Sequence, residues 1–301
     1  MEYSLTTNNL CKYYGRTKAL NGLNMKIPKG SIYGLVGRNG AGKTTLFRVI
    51  CGLQRPTLGG YTLYGIEHTD KGIYDSYSRL GVLVETPAFY RDMTGEENLR
   101  EQYRVIGLPS YQGIPELLSS VGLAEVRNRK AWKYSLGMRK RLGIAIALAG
   151  DPDFLVLDEP MSGLDPQGII EIRELLLKLN RERQVTILIS GHGLDELSRI
   201  ATHYGFIDHG RMVREMNAAE LQYALKKCMH IRVSDTRSLS IVLDEMKFEY
   251  QILSDREADI FADVNVSQLV TALAKVNCEV YTMQERNESM EGYFLSMLDR
   301  K

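Results

Sequence analysis

Five short runs of apolar and β-branched residues punctuate the first 215 positions: Ile32–Val36, Gly81–Val84, Phe154–Leu157, Val185–Ser190 and Gly205–Asp208. Segments with apolar residues at helical spacing separate them. Runs this short and this uniformly apolar predict strands buried on both faces. Their alternation with helices predicts an α/β domain on a mainly parallel sheet. Between Thr86 and Gly150 the strand pattern stops. Helical spacing takes over, interrupted at Pro109 and Pro115, which predicts a helical subdomain over about 86–150 inserted into the α/β core.

The pattern changes again near residue 216. MHIRVS reads as a strand, and Leu239, Val242, Leu243 and Met246 fall on one helical face. FEYQILS and ADIFADV follow as strands, Val266, Leu269, Val270 and Leu273 mark a second helix, CEVYTM a strand, and ESMEGYFLSML a last helix. The order β-α-β-β-α-β-α is that of a split βαβ, ferredoxin-like unit with one extra helix. Two domains are therefore expected: 1–215, and a small α+β accessory domain at 216–301.

Composition narrows the class. A net charge of +1, and ten Lys and Arg against fourteen Asp and Glu after residue 215, disfavour nucleic acid as a partner. Four scattered cysteines without a C-x-x-C pair argue against a zinc site or a disulfide framework and suit a reducing compartment. The first fifteen residues lack a basic segment followed by an apolar one, so no signal peptide is expected. No run of 18 apolar residues offers a membrane span. Any membrane role must come through a partner.

GRNGAGKTT, residues 37–45, follows the first buried run and opens a helical pattern. It matches G-x-x-x-x-G-K-[ST]. Gly37, Gly40 and Gly42 permit the turns that aim backbone amides at phosphate oxygens, and the helix behind adds positive charge at its start. Asn39, Ala41 and Thr45 complete the candidate phosphate-binding set. Lys43 supplies a mobile cation, and Thr44 a hydroxyl for Mg²⁺. FLVLDEP, residues 154–160, delivers Asp158 at the carboxyl end of a buried strand as a candidate Mg²⁺ partner, with Glu159 the candidate for polarising an attacking water. ILISGHGLDEL repeats the design and presents His192, which could reach a γ-phosphate or serve structure alone. Tyr14 could stack on adenine or simply pack. KYSLGMRKR, residues 133–141, begins a helix at Ser135 as if to hold a second anion.

In this order the motifs resemble the ATP-binding subunit of ABC transporters, from about Met1 to Met212. The resemblance makes Tyr14 the adenine-stacking residue, GRNGAGKTT the Walker A loop, YSLGM the signature, FLVLDEP Walker B, SGLDP with Asp165 the D-loop, and His192 the switch histidine. It implies a homodimer in which Ser135 and the amides of Leu136 and Gly137 meet the ATP of the other subunit. It also implies membrane-spanning permease subunits that would hold the dimer at the inner face of the cell membrane. Leu136 and Met138 depart from the usual glycine and glutamine. Glu85 stands where most members carry glutamine, as a candidate Mg²⁺ ligand, and is similar to the pattern of lantibiotic-immunity and bacitracin-resistance exporters. A soluble ABC ATPase of translation or DNA maintenance is the alternative. The single cassette, and the absence of a coiled coil between Lys43 and Ser135, count against it.

Overall fold

The computed structural model describes residues 2–85, 88–191, 194–225, 228–262, 264–286, 292–294 and 297. It divides into two compact units, Met1–Ala218 and Ala219–Lys301. In the first unit the chain opens with a hairpin of β1 (Tyr3–Tyr14) and β2 (Thr17–Pro28). Against β1 lies β4 (Leu58–Leu63), and outside it the short β5 (Ile66–Glu67), giving an antiparallel sheet in the order β2-β1-β4-β5. This sheet is hidden in the sequence because β1 has no clean period of two. Its register slips repeatedly between Thr7 and Tyr13, and Asn9 takes φ 45°.

The second sheet of this unit holds the apolar runs. β3 (Ile32–Val36), β6 (Leu80–Leu83), β7 (Phe154–Leu157), β8 (Thr186–Gly191) and β9 (His203–Asp208) run parallel, and β10 (Arg211–Asn217) turns back antiparallel at the edge. The order is β10-β9-β3-β8-β7-β6. Every residue of β3 and β7 is buried, as a sheet covered on both faces requires. Helix α1 (Lys43–Ile50) fills the space between the sheets with Leu46, Phe47, Val49 and Ile50. The carboxyl ends of β3, β8, β7 and β6 therefore lie side by side, where open parallel sheets hold ligands.

Between β6 and β7 the described residues carry helices and no named strand. After α2 (Ile73–Ser78), which precedes β6, come α3 (Gly95–Val105), α4 (Ile114–Ser120) and α5 (Leu136–Leu148). Thr94 and Glu97 close a reciprocal capping box on α3, at 3.1 and 2.6 Å. Pro115 opens α4 instead of breaking a helix, a position where its missing N–H costs nothing. α6 (Pro166–Arg183) and the short α7 (Leu194–Ser198) flank β8 in the chain.

The second unit, entered through α8 (Ala218–Ala224), runs β11 (Cys228–Val233), α9 (Thr236–Glu245), β12 (Tyr250–Ser254), β13 (Glu257–Ile260), α10 (Val266–Lys275) and β14 (Val280–Arg286). Its strands pair antiparallel in the order β12-β13-β11-β14, that of a split βαβ unit. Leu239, Leu243, Leu269 and Leu273 close over Ile231, Val233, Ala258 and Ile260, all fully buried. Asp235 and Asn265 cap the two helices. Of the expected last helix, Gly292, Tyr293 and Phe294 are helical, and most of the remainder lies outside the described residues.

Candidate functional site

The loop after β3 is fixed by close backbone approach. A Cβ on Gly37 would lie 2.6 Å from the carbonyl oxygen of Ile207, and one on Gly42, at φ 108°, 2.5 Å from that of Ala19. Neither position has room for a side chain. The Ala41 amide donates to Arg38 O at 3.1 Å, and Gly210 donates to Ala41 O at 2.9 Å, pinning the loop to the β9–β10 turn. Asn39 and Gly40 stay exposed at the tip, and Thr45 is half-buried. Lys43, only 6% exposed, folds its ammonium back over the loop and donates to Gly37 O at 2.7 Å and Arg38 O at 3.2 Å. Burial lowers its pKa, while the nearby charges of Glu159 and Asp158 oppose that shift. Loop amides, an ammonium and the start of α1 together make a cradle for phosphate.

The acid side comes from the neighbouring strand ends. Asp158, buried, accepts from Thr44 Oγ1 at 2.7 Å and from Ser190 Oγ at 2.5 Å. Ser190 Oγ in turn accepts from the Glu159 amide at 2.9 Å. Thr44 and Asp158 thus offer a hydroxyl and a carboxylate to one point beside the cradle, and hard oxygens of this kind suit Mg²⁺. Among the described residues no cluster of three His, Cys, Asp or Glu could hold a metal alone. The pair therefore fits an ion that keeps water and takes phosphate oxygens, as Mg²⁺ does.

Glu85 follows β6 at φ 66°, and its carboxylate pairs with Arg48 Nη2. Arg48 lies one helical turn beyond Thr44, which brings Glu85 to the same face of α1. His192 lies outside the described residues; the preceding Ser190 and Gly191 end β8 opposite Leu35 and Val36 of β3. Tyr14, 44% exposed, ends β1 with its hydroxyl donating to Gln54 and Lys12 Nζ 5.4 Å from its ring centroid. Asp165 caps α6, accepting from the Gly168 amide at 3.3 Å.

Ser135 caps α5, its Oγ accepting from the Met138 amide at 3.2 Å. Leu136 is half exposed. Around Gly137 the contrast with the first loop is plain. A Cβ there would meet only ordinary contacts, the nearest Leu164 Cδ2 at 3.6 Å. Among the described residues nothing requires glycine at 137.

Comparison with known proteins decides the family. Residues 20–162 match the family model described as ABC transporter. The bacitracin transport ATP-binding protein BcrA of Enterococcus faecalis is 38% identical over 99% of this chain and 97% of its own length. This chain belongs to the ATP-binding subunits of ABC transporters. The lantibiotic transport ATP-binding protein SrtF of Streptococcus pyogenes is 39% identical over 70% of this chain and 90% of its own. A solved relative, cbiO1 of Clostridium perfringens, described as part of the ABC transporter complex cbiONQ, superposes with a TM-score of 0.66 at 27% identity. It covers 74% of this chain and 92% of its own.

As an ABC subunit the chain binds ATP and works as an ATPase. Among the described residues no helix is long and apolar enough to cross a membrane. The geometry adds three residues that motif reading left out. Ser190 links Asp158 to the Glu159 amide, and its signal was a serine directly after the apolar run Ile187–Ile189. Arg48 holds Glu85. Lys140 donates to backbone carbonyls of the Walker B turn. The last two carry no sequence signal, because surface-compatible cations are common on helices.

Proposed function

We propose that two copies of this subunit sandwich two ATP and drive a permease that exports an antimicrobial peptide or drug of the bacitracin class. The observation that carries this reading is the length of the match. The bacitracin relative aligns with 99% of the chain, second unit included, whereas the lantibiotic relative covers 70%.

The mechanism follows from the site. ATP lies with its β- and γ-phosphates in the Gly37–Thr45 loop under Lys43, and Tyr14 offers a ring to the adenine. Thr44 and Asp158 would hold Mg²⁺, with the Glu85 carboxylate, paired here with Arg48, a further candidate oxygen donor. The ion, when bound, neutralises charge on the phosphate oxygens. Glu159 polarises the attacking water, and His192 completes the γ-phosphate contacts. Ser135 and the amides of Leu136 and Gly137 close over the ATP of the opposite subunit, with Asp165 nearby in the facing D-loop. Phe89, Tyr90, Val105 and Ile146 line a groove in the helical subdomain, with Tyr90 63% and Val105 79% exposed. This apolar opening supports docking of a permease segment, through which the dimer sits on the inner face of the membrane.

The trans role of Gly137 has a direct test. Gly137→Ala has room in the folded chain and gains helix propensity of about 1 kcal/mol. The melting temperature should hold or rise while turnover falls at least about tenfold, as the methyl keeps the opposing phosphate from the amides. Unchanged ATPase rates would exclude that role. For the transport reading, the tagged chain is recovered from mildly solubilised membranes of its own cell. A polytopic membrane protein in stoichiometric amount is expected. Recovery of ribosomal or DNA-associated proteins alone would refute it.

A further inference from the structure

Glu159 stands at φ 48°, in the left-handed region that a non-glycine residue occupies only when its surroundings hold it there. Two holds are visible. Its amide donates to Ser190 Oγ at 2.9 Å, and its carbonyl accepts from Lys140 Nζ at 2.9 Å. The same ammonium donates to Ser162 O, while the Ser162 amide donates to Glu159 O at 3.2 Å. Lys140 thus spans the turn from Glu159 to Ser162 and grips it at both ends. Both of these bonds go to backbone carbonyls.

The grip is made at some cost. Burial lowers the pKa of Lys140, opposed by the charges of Glu159 and Glu196. An ammonium brought in from water to meet two neutral carbonyls is a poor way to stabilise a fold, since a shorter amide could make such bonds without desolvating a charge. What it does supply is direction. The direction in which the Glu159 side chain leaves the backbone is set by its own φ and ψ, and a shift of about 1 Å in a catalytic group can cost on the order of a hundredfold in rate.

We infer that Lys140 is a positioning residue for Glu159, which it holds in the left-handed conformation from α5. The inference rests on the reading of Glu159 as the group that polarises the attacking water. Lys140 stands one turn beyond Leu136 on the helix that Ser135 caps. In the paired state the seat of α5 over one ATP would then govern the aim of Glu159 at the other.

The test is the steady-state ATPase activity of the full-length chain. Lys140→Met keeps the stem and removes the donors. It should lower kcat about 10–100-fold with KM for ATP within about twofold of wild type. In a Glu159→Gln background it should lower the residual rate no further. Lys140→Gln, which restores an amide donor, should recover at least about threefold over the Met variant. Glu159→Gln alone separates the two ideas. If that variant turns over like wild type, the reading of Glu159 falls and the inference with it. If it abolishes turnover, three results would each overturn the positioning role alone: a Met variant within twofold of wild type, Met and Gln variants with equal rates, or an undiminished Met effect in the Glu159→Gln background.

Discussion

Glu159→Gln should reduce ATP turnover by about 10²–10⁴-fold while leaving nucleotide binding intact. The substitution is isosteric, and the two backbone bonds at residue 159, the amide to Ser190 and the carbonyl to Lys140, do not need its carboxylate. The turn should therefore keep its shape. What is lost is the carboxylate proposed to accept a proton from water, a transition-state interaction worth about 1.4 kcal/mol for each tenfold in rate. Binding is assigned to the Gly37–Thr45 loop, which the change does not touch. Glu159 also raises the pKa of Lys43, so its neutralisation lets that pKa fall further. With one negative charge fewer beside the γ-phosphate, the closed pair should accumulate with ATP bound. Equilibrium binding and single-turnover rates measure the two halves separately. Turnover within a factor of two of wild type would move the catalytic role elsewhere.

Much of the candidate site is legible in the sequence. Some of its residues are fixed in kind by backbone contact or burial. Gly37 and Gly42 have no space for a Cβ, and Asp158 must follow a wholly buried strand to reach Thr44. Constraints of that kind leave short, strict patterns. The parallel strands were legible for the same reason, since burial on both faces makes each one an apolar run. The antiparallel sheet was not, because the bulged β1 mixes its two faces. Nor were Lys140 and Arg48. Each is a cation on a helix, and only the tertiary structure distinguishes one that points at water from one that holds a loop. Glu85 lies between these cases. Its place in the chain pointed to Mg²⁺, while the fold shows its carboxylate paired with Arg48.

Lys43→Met should fail differently from Glu159→Gln. The methionine keeps the apolar stem in a place that is 6% exposed, so the fold should survive. The ammonium is lost, and with it the donor that bonds Gly37 O and Arg38 O and the full positive charge over the cradle. That charge acts on ATP already in the ground state, so KM or Kd for ATP should rise. It acts more strongly as charge moves onto the leaving oxygens, so kcat should fall as well, by about 10²–10³-fold. The two variants thus separate on one plot: Glu159→Gln lowers kcat at constant affinity, and Lys43→Met lowers both. Lys43→Arg should not rescue, because a planar guanidinium is longer and cannot curl onto the carbonyls of residues 37 and 38 as a tetrahedral ammonium does. If Lys43→Met bound ATP as tightly as wild type, the cradle would hold phosphate by its amides alone, and the assignment of Lys43 to the β- and γ-phosphates would be wrong.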